Sequence, residues 1–329
     1  MIVIPGSASV EIDKSISYTA SVTPSNGTVS RVDFSSINAG IATVNPATDA
    51  TVPYKTTASG ESIGSTQVQA EVVMSGAVRC TDTANITVTP PNAWWQVDKG
   101  NVHADGGSIN SSIPATATKP YLITGIQPGL VSYSGSLSLG DLDVTGISET
   151  SNDWQAKTSY QGNKTDYGYF KRILEDDLQA FAVWDGSQPG ETGVYSAAGD
   201  ISTSGVWNIT TKKIVILADG NVTITGNINV DPDGFLAVIS SGNITIGPAV
   251  TNVEGVYISD GVIDSGASAS QLTGEGIFTG WLGIDLRRDF NTIQNNTTPA
   301  ERFIYRPDLV RNAYHYLLKP KVSWQEVAP

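Results

Sequence analysis

Ile214-Val215-Ile216-Leu217-Ala218-Asp219-Gly220-Asn221-Val222-Thr223-Ile224 is echoed by Leu236-Ala237-Val238-Ile239-Ser240-Ser241-Gly242-Asn243-Ile244-Thr245-Ile246, 22 residues on. Both stretches run in the same order: an apolar run, a turn with glycine and then asparagine, and a run alternating Val or Ile with Thr. The turn glycine recurs at Gly199, Gly220, Gly242, Gly261 and Gly283, spaced 19 to 22 residues apart. Two short strands around a turn cannot bury an apolar face alone. Stacked ~4.8 Å apart, such units share one core. The reading is a parallel β-helix, with Val222, Ile224, Ile244 and Ile246 inward and Thr223 and Thr245 outward.

On either side of this repeat the period weakens. Val131-Ser132-Tyr133 and Leu142-Asp143-Val144 read as another coil within 130–147. Residues 150–192 break the pattern. Tyr167, Phe170, Ile173, Leu174, Leu178 and Phe181 fall at helical spacing there, so a helix inserted at about 150–192 is expected along one flank. Asp308 to Leu318 suggests a short helix, within a C-terminal cap at about 299–329. The β-helix domain is thus expected over 93–329. Pro90-Pro91-Asn92 is a stiff linker before it. Trp94-Trp95 reads either as a sugar-stacking platform or as a plug over the N-terminal end of the stack; the plug is preferred.

Residues 1–90 read as a β-sandwich. Short alternating runs (Ile16-Tyr18-Ala20-Val22, Val32-Phe34, Val68 to Val72, Ile86-Val88) are separated by turns at Pro24-Ser25-Asn26-Gly27, Asn45-Pro46 and Ser75-Gly76. The segments from Tyr18 to Asn26, Val32 to Asn38, Ile41 to Pro46 and Cys80 to Val88 resemble a bacterial immunoglobulin-like (group 2) domain of the kind repeated in surface adhesins. Phe34 stands where that family usually has tryptophan. The resemblance implies a spacer or adhesion module. Further on, Trp94-Trp95-Gln96-Val97, Ser112-Ile113-Pro114, Asp219 to Ile224, Pro299 to Asp308 and Trp324 to Pro329 resemble the C-terminal region of large repeat-rich surface proteins of candidate-phylum bacteria. That likeness implies part of a larger polypeptide and brings little function with it.

Composition narrows the classes. The chain has 329 residues, with 32 Asp+Glu against 19 Lys+Arg and a formal net charge of -13. An acidic chain lacks the basic face that phosphate binding needs, so no nucleic-acid partner is expected. Charged residues are only 16%, which leaves a surface of Ser, Thr, Asn and Gly, as in secreted or cell-surface β-rich repeat proteins. No run is long and apolar enough to span a membrane. With Cys80 the single cysteine, an internal disulfide and a thiolate metal site are excluded. Cys80 is read as a small core residue or an intermolecular thiol. The Asn-x-Ser/Thr triplets at Asn85, Asn221 and Asn243 are read as turn-then-strand chemistry rather than glycosylation sites.

Candidate chemistry is sparse. His103 and His315 sit far apart, near no nucleophile motif. As catalytic candidates, Asp219 and Asp260 precede ladder glycines at equivalent positions, ~9.6 Å apart if the register holds; Asp264 follows. That separation is at the upper edge for an inverting glycosidase, but Asp-Gly is also a favoured turn pair, and Ser241 lies between. Ligand-binding candidates are Trp94, Trp95, Arg287 and Arg288, the arginines either gripping a uronate or anchoring the tail. Asp231 and Asp233 in Asp231-Pro232-Asp233-Gly234, and Asp141-Leu142-Asp143, admit a calcium reading, as Glu175-Asp176-Asp177 admits a cation. None has the full oxygen set of a calcium loop, and no cofactor is expected. The preferred function is a non-catalytic extracellular or cell-surface adhesion module facing a host-cell envelope, or an extracellular glycan or protein surface. The alternatives are a polysaccharide hydrolase or lyase and a self-assembling scaffold.

Overall fold

The computed structural model describes residues 2–3, 6–23, 28–74, 77–114, 116–118, 121–127, 129–140, 148–150, 152, 154–175, 182–313 and 317. The chain is all-β apart from short helices and divides into two compact units. One gathers Met1–Pro91 with Asn291–Gln294; the other holds Asn92–Phe290 and Asn295–Pro329.

In the first unit a four-stranded sheet (Ile2–Val3, Ser15–Val22, Tyr54–Gly60, Ala42–Asn45) and a five-stranded sheet (Ser7–Glu11, Ala77–Thr89, Gly64–Met74, Arg31–Ser36, Thr48–Asp49) share one core. Alternation does the sorting. Tyr18 and Ala20 from one sheet meet Val32, Phe34, Val68, Ala70, Ile86 and Val88 from the other. Cys80 is half-buried at the edge of this core.

Among the described residues of the second unit every strand pair is parallel. Lys213–Asp219 lies between Gly193–Ala198 and Phe235–Ser240; Phe235–Ser240 is followed by Asn252–Ser259, then Leu272–Gly280. A second sheet stacks Ile201–Ser202, Val222–Ile224, Ile244–Ile246, Val262–Asp264 and Gly283–Asp285. Val222 faces Ile244, Thr223 faces Thr245, and Ile224 faces Ile246. Ile224 and Ile246 are buried, as the alternation requires.

Order in space differs from order in the chain. Strand Trp95–Asp98 does not lie over an end of the stack. It pairs with Tyr121–Thr124 on one side and with Glu301–Ile304 on the other. Glu301–Ile304 in turn pairs with Leu272–Gly280. The chain therefore opens the ladder in its middle and builds outward through Tyr121–Thr124 to Ser148–Thr150. It then crosses to the far end at Ala182–Val183 and winds back until Glu301–Ile304 docks against the opening strand. This corrects two expectations. The paired tryptophans do not plug an end, and the start of the expected cap at 299–329 is an interior rung.

The crossing segment is a strap along the ladder. Thr158 N–H donates to the Tyr133 carbonyl. The Tyr160 ring lies between His103 and Trp281. The Thr165 carbonyl accepts from Trp281 Nε1, and helix α1 (Tyr167–Glu175) follows. Phe170, Ile173 and Leu174 pack onto the core. The expected insertion at 150–192 thus shrinks: Ser148–Thr150, Gln155–Lys157 and Ala182–Val183 are ladder strands. Leu178 and Phe181 lie outside the described residues. Under the strap, Phe235–Ser240 is buried along its whole length, because it has the core on one side and α1 on the other. Strands buried on both faces read as continuous apolar runs rather than alternating ones.

Candidate functional site

The strap face brings together three of the acids singled out in the sequence, Asp219, Asp260 and Glu175. Asp219, Ser241 and Asp260 occupy equivalent positions, since Ala218 pairs with Ser240 and Ser240 with Ser259. Each has a local partner. Asp219 accepts the Ser241 hydroxyl at 3.2 Å. Asp260 Oδ1 accepts the backbone N–H of Tyr167 at 2.9 Å, while Asp166 Oδ1 accepts that of Tyr169 at 2.8 Å. The first turn of a helix has orphan N–H groups. Here α1 has one satisfied by its own Asp166 and one by a carboxylate from the ladder. Asp260 is thus the bolt that fixes the strap.

Beside it a shallow cleft of about 220 Å³ is lined by Tyr167, Lys171, Glu175, Ala198, Leu217 and Asp219 among others. Burial, and then the charges of Asp219, Glu175 and Asp260, raise the Tyr167 phenol above its ordinary range. Lys171 is paired with Glu175 at 3.7 Å and lies 5.8 Å from the Tyr167 ring centroid.

Asp264 belongs to another face. Its carboxylate takes both Arg287 Nε at 2.8 Å and Nη2 at 2.5 Å, so this acid is bound in a fork rather than paired with Asp219 or Asp260. Arg288 is only 2% exposed, and its guanidinium donates to the carbonyls of Ser265, Pro248 and Gly247. It ties three turn carbonyls and offers nothing to a ligand, which corrects its reading as a uronate grip. Trp94 is corrected too: it is 2% exposed, with Nε1 donating to the Asn295 carbonyl at 2.7 Å. Trp95 is half-buried, its Nε1 on the Asn110 carbonyl. Asp231 and Asp233 form a turn in which Gly234 N–H donates to the Asp231 carbonyl and Lys213 Nζ to that of Asp233. Among the described residues no three His, Cys, Asp or Glu side chains group as metal ligands. Asp141-Leu142-Asp143, Asp176-Asp177 and His315 lie outside the described residues.

Two polar centres escaped the sequence reading. Arg306, 15% exposed at its side chain, binds Glu254 at 3.0 Å, Glu275 at 3.2 Å and Asp308 at 2.7 Å, and reaches the Val230 carbonyl. Glu254 and Glu275 are register partners, so one guanidinium clamps two rungs and the start of helix α2 (Pro307–Arg311). Glu301 is the other. Only 2% exposed, it accepts the Arg288 N–H at 3.2 Å. Burial pushes its carboxyl up to about 7, against the opposing pull of the Ser265 hydrogen bond and the Arg288 charge. The Arg-x-Asp spacing of 306–308 was a readable signal; nothing marked Glu301.

No family model matches the chain, and no curated protein matches it in sequence. Among solved structures, domains 4 and 5 of the S-layer protein SbsC are similar over 27% of this chain and 50% of that one, at 17% identity and a TM-score of 0.23. This chain thus spans half the length of that protein fragment. The fibronectin(III)-like modules of Clostridium thermocellum CbhA are similar over 27% of this chain and 96% of theirs, at 21% identity and a TM-score of 0.22. No helix among the described residues is long and apolar enough to cross a membrane.

Proposed function

We propose that this chain is a non-catalytic structural module of a cell-surface or secreted protein: an immunoglobulin-like sandwich over residues 1–90, followed by a parallel β-helix over 93–329. The observation that carries the reading is the employment of its side chains. The groups most suited to chemistry hold rung to rung instead. Asp260 fastens the strap, Asp264 is forked by Arg287, Arg288 ties turn carbonyls, and Trp94 is buried. Even the outward amides are engaged: Asn229 donates to Asn208 and Asn252 to Asn229, rung after rung. Such faces suit a stalk or adhesive surface that meets a host-cell envelope, or an extracellular glycan or protein. The low charge content of the sequence fits the same setting.

The test pairs a glycan array with a reducing-end assay on the full chain, across plant, algal and bacterial polysaccharides. No turnover is expected. Turnover abolished by Asp219→Asn or Asp260→Asn would overturn the reading in favour of a polysaccharide-cleaving enzyme, since removing one member of an acid–base pair costs orders of magnitude in rate.

A further inference from the structure

The second unit's opening and closing strands lie side by side. Trp95 faces Glu301, Gln96 faces Arg302, Val97 faces Phe303, and Asp98 faces Ile304, all in parallel. The chain reaches Trp95 from Asn92, at the N-terminal end of its strand. It leaves Ile304 toward Tyr305, at the C-terminal end of the neighbouring strand. Tension applied through these two points drags the strands past each other in opposite directions. The evenly spaced bonds of a parallel pair are then loaded together. Pulled from the same end, the two strands would instead peel apart one bond at a time.

We propose that this seam is a mechanical clamp, and that the second unit is a tension-bearing link in which the chain between the two seam strands, residues 99–300, is shielded in a closed loop. The proposal extends the structural role proposed above and rests on that role only for the source of the load. The mechanics rest on the strand pairing.

The seam is reinforced at both ends. Ala300 N–H donates to the Trp94 carbonyl at 2.8 Å and Tyr305 N–H to the Asp98 carbonyl at 3.1 Å. Trp94 Nε1 holds Asn295, and Thr118 Oγ1 holds the Thr297 carbonyl at 3.0 Å. Neither strand is at a margin, because each has a second parallel neighbour. The ion pair across the seam is set to survive sliding. Arg302 stands opposite Gln96 but reaches forward to Asp98, with Nε at 2.7 Å from Oδ2. Load moves Arg302 toward Asp98, so the pair stretches only after the strands have slipped by two residues, about 7 Å.

The experiment is single-molecule pulling on the full chain with Cys80 replaced by serine, so that only engineered thiols take the handles. One variant carries Asn92→Cys and Tyr305→Cys, which loads the seam in sliding. The other carries Lys99→Cys and Tyr305→Cys, which loads the same strands from their shared end. All three positions are exposed. The handle at Tyr305 precedes Arg306, so the anchor on α2 stays out of the load path. The sliding geometry should rupture at a clearly higher force than the peeling one, because its load is shared over four register pairs whose bonds are evenly spaced. Its rupture should come as one force peak before any other lengthening, and up to about 700 Å of chain is freed once the stacks behind it unravel. Equal forces in the two geometries, or gradual lengthening without a rupture in the sliding one, would overturn the clamp. Neither result bears on turnover, so the functional reading stands or falls separately.

Discussion

Glu301→Gln should stabilise the second unit at alkaline pH and do little at acidic pH. Glu301 sits on the closing strand, 2% exposed, with its carboxyl raised to about 7 from 4.5. In the unfolded chain it ionises near its ordinary value. Below that value both states are protonated and folding costs nothing at this site. Between it and about pH 7 the folded state holds a proton that the unfolded state has lost, so stability falls as pH rises. Above about pH 7 the full penalty is in place, roughly 3 kcal/mol at 1.36 kcal/mol per pH unit. Glutamine keeps an oxygen for the Arg288 N–H and removes the charge. For a unit of this size the gain corresponds to about 6–12 °C in melting temperature at pH 8.5, vanishing by pH 4. The assay is tryptophan fluorescence during heating. Residues 1–91 contain no tryptophan, so the signal reports the second unit alone. A difference between Glu301→Gln and wild type that is the same at pH 4 and 8.5 would refute a neutral, buried carboxyl.

Ile224→Asp buries an unpaired charge and should cost about 3 kcal/mol or more, whereas Thr223→Asp should stay within roughly 0.5 kcal/mol; chemical denaturation distinguishes them, and equal losses would mean the strand is out of register. Arg306→Met strips the counter-charge from Glu254, Glu275 and Asp308, with an expected loss of about 3–5 kcal/mol by the same assay; Arg306→Lys, without the planar fork, should recover only part of it. Asp260→Ala should cost roughly 1 kcal/mol and speed amide exchange at Tyr167, while Asp260→Asn, which keeps an acceptor, should leave that exchange slow. Exchange at Tyr167 unmoved by Asp260→Ala would show that the strap is held elsewhere.

The repeat was legible because its physics is local. A turn glycine followed by Asn and alternating Ile and Thr encodes a one-sided strand, and Val222–Ile224 and Ile244–Ile246 form that strand in register. The strap was half legible. Tyr167, Phe170, Ile173 and Leu174 announced a helix along one flank, whereas the unbroken apolar run at Phe235–Ile239 was read only as a strand, and its cover on the outer side emerged with the structure. What fastens the strap was hidden, because the acceptor for the Tyr167 N–H is Asp260, 93 residues away. Asp219 and Asp260 were rightly placed at equivalent positions, yet no local pattern tells a carboxylate that caps a helix from one that waits for a substrate. The seam was illegible for another reason. After Gly283–Asp285 a short 3₁₀ turn at Ile293–Asn296 delays the next strand, so Glu301–Ile304 falls out of period. With a charged pair at its start, it looks like tail.

The order of the ladder also dictates when it can be completed. A parallel ladder that winds from end to end can add each rung to the one before it. Here Trp95–Asp98 finds its second neighbour only when Glu301–Ile304 is available, and the Trp94 indole waits for the Asn295 carbonyl, 201 residues later in the chain. Closing so long a loop costs entropy before any contact repays it, and such distant pairings are slow to form. The two stacks can each form from near neighbours in sequence, and the strap draws their ends into place through Asp260 and Trp281. The seam is then the last piece to lock. It gathers buried side chains at the join, with Trp94, Val97 and Leu122 on one side and Leu272 and Glu301 on the other. Glu301 is the exception among them. A carboxyl raised by burial makes this last step of assembly easier in mild acid than in alkali, while Asp185, Asp200 and Asp308, held below their ordinary range by hydrogen bonds, favour the folded unit at higher pH.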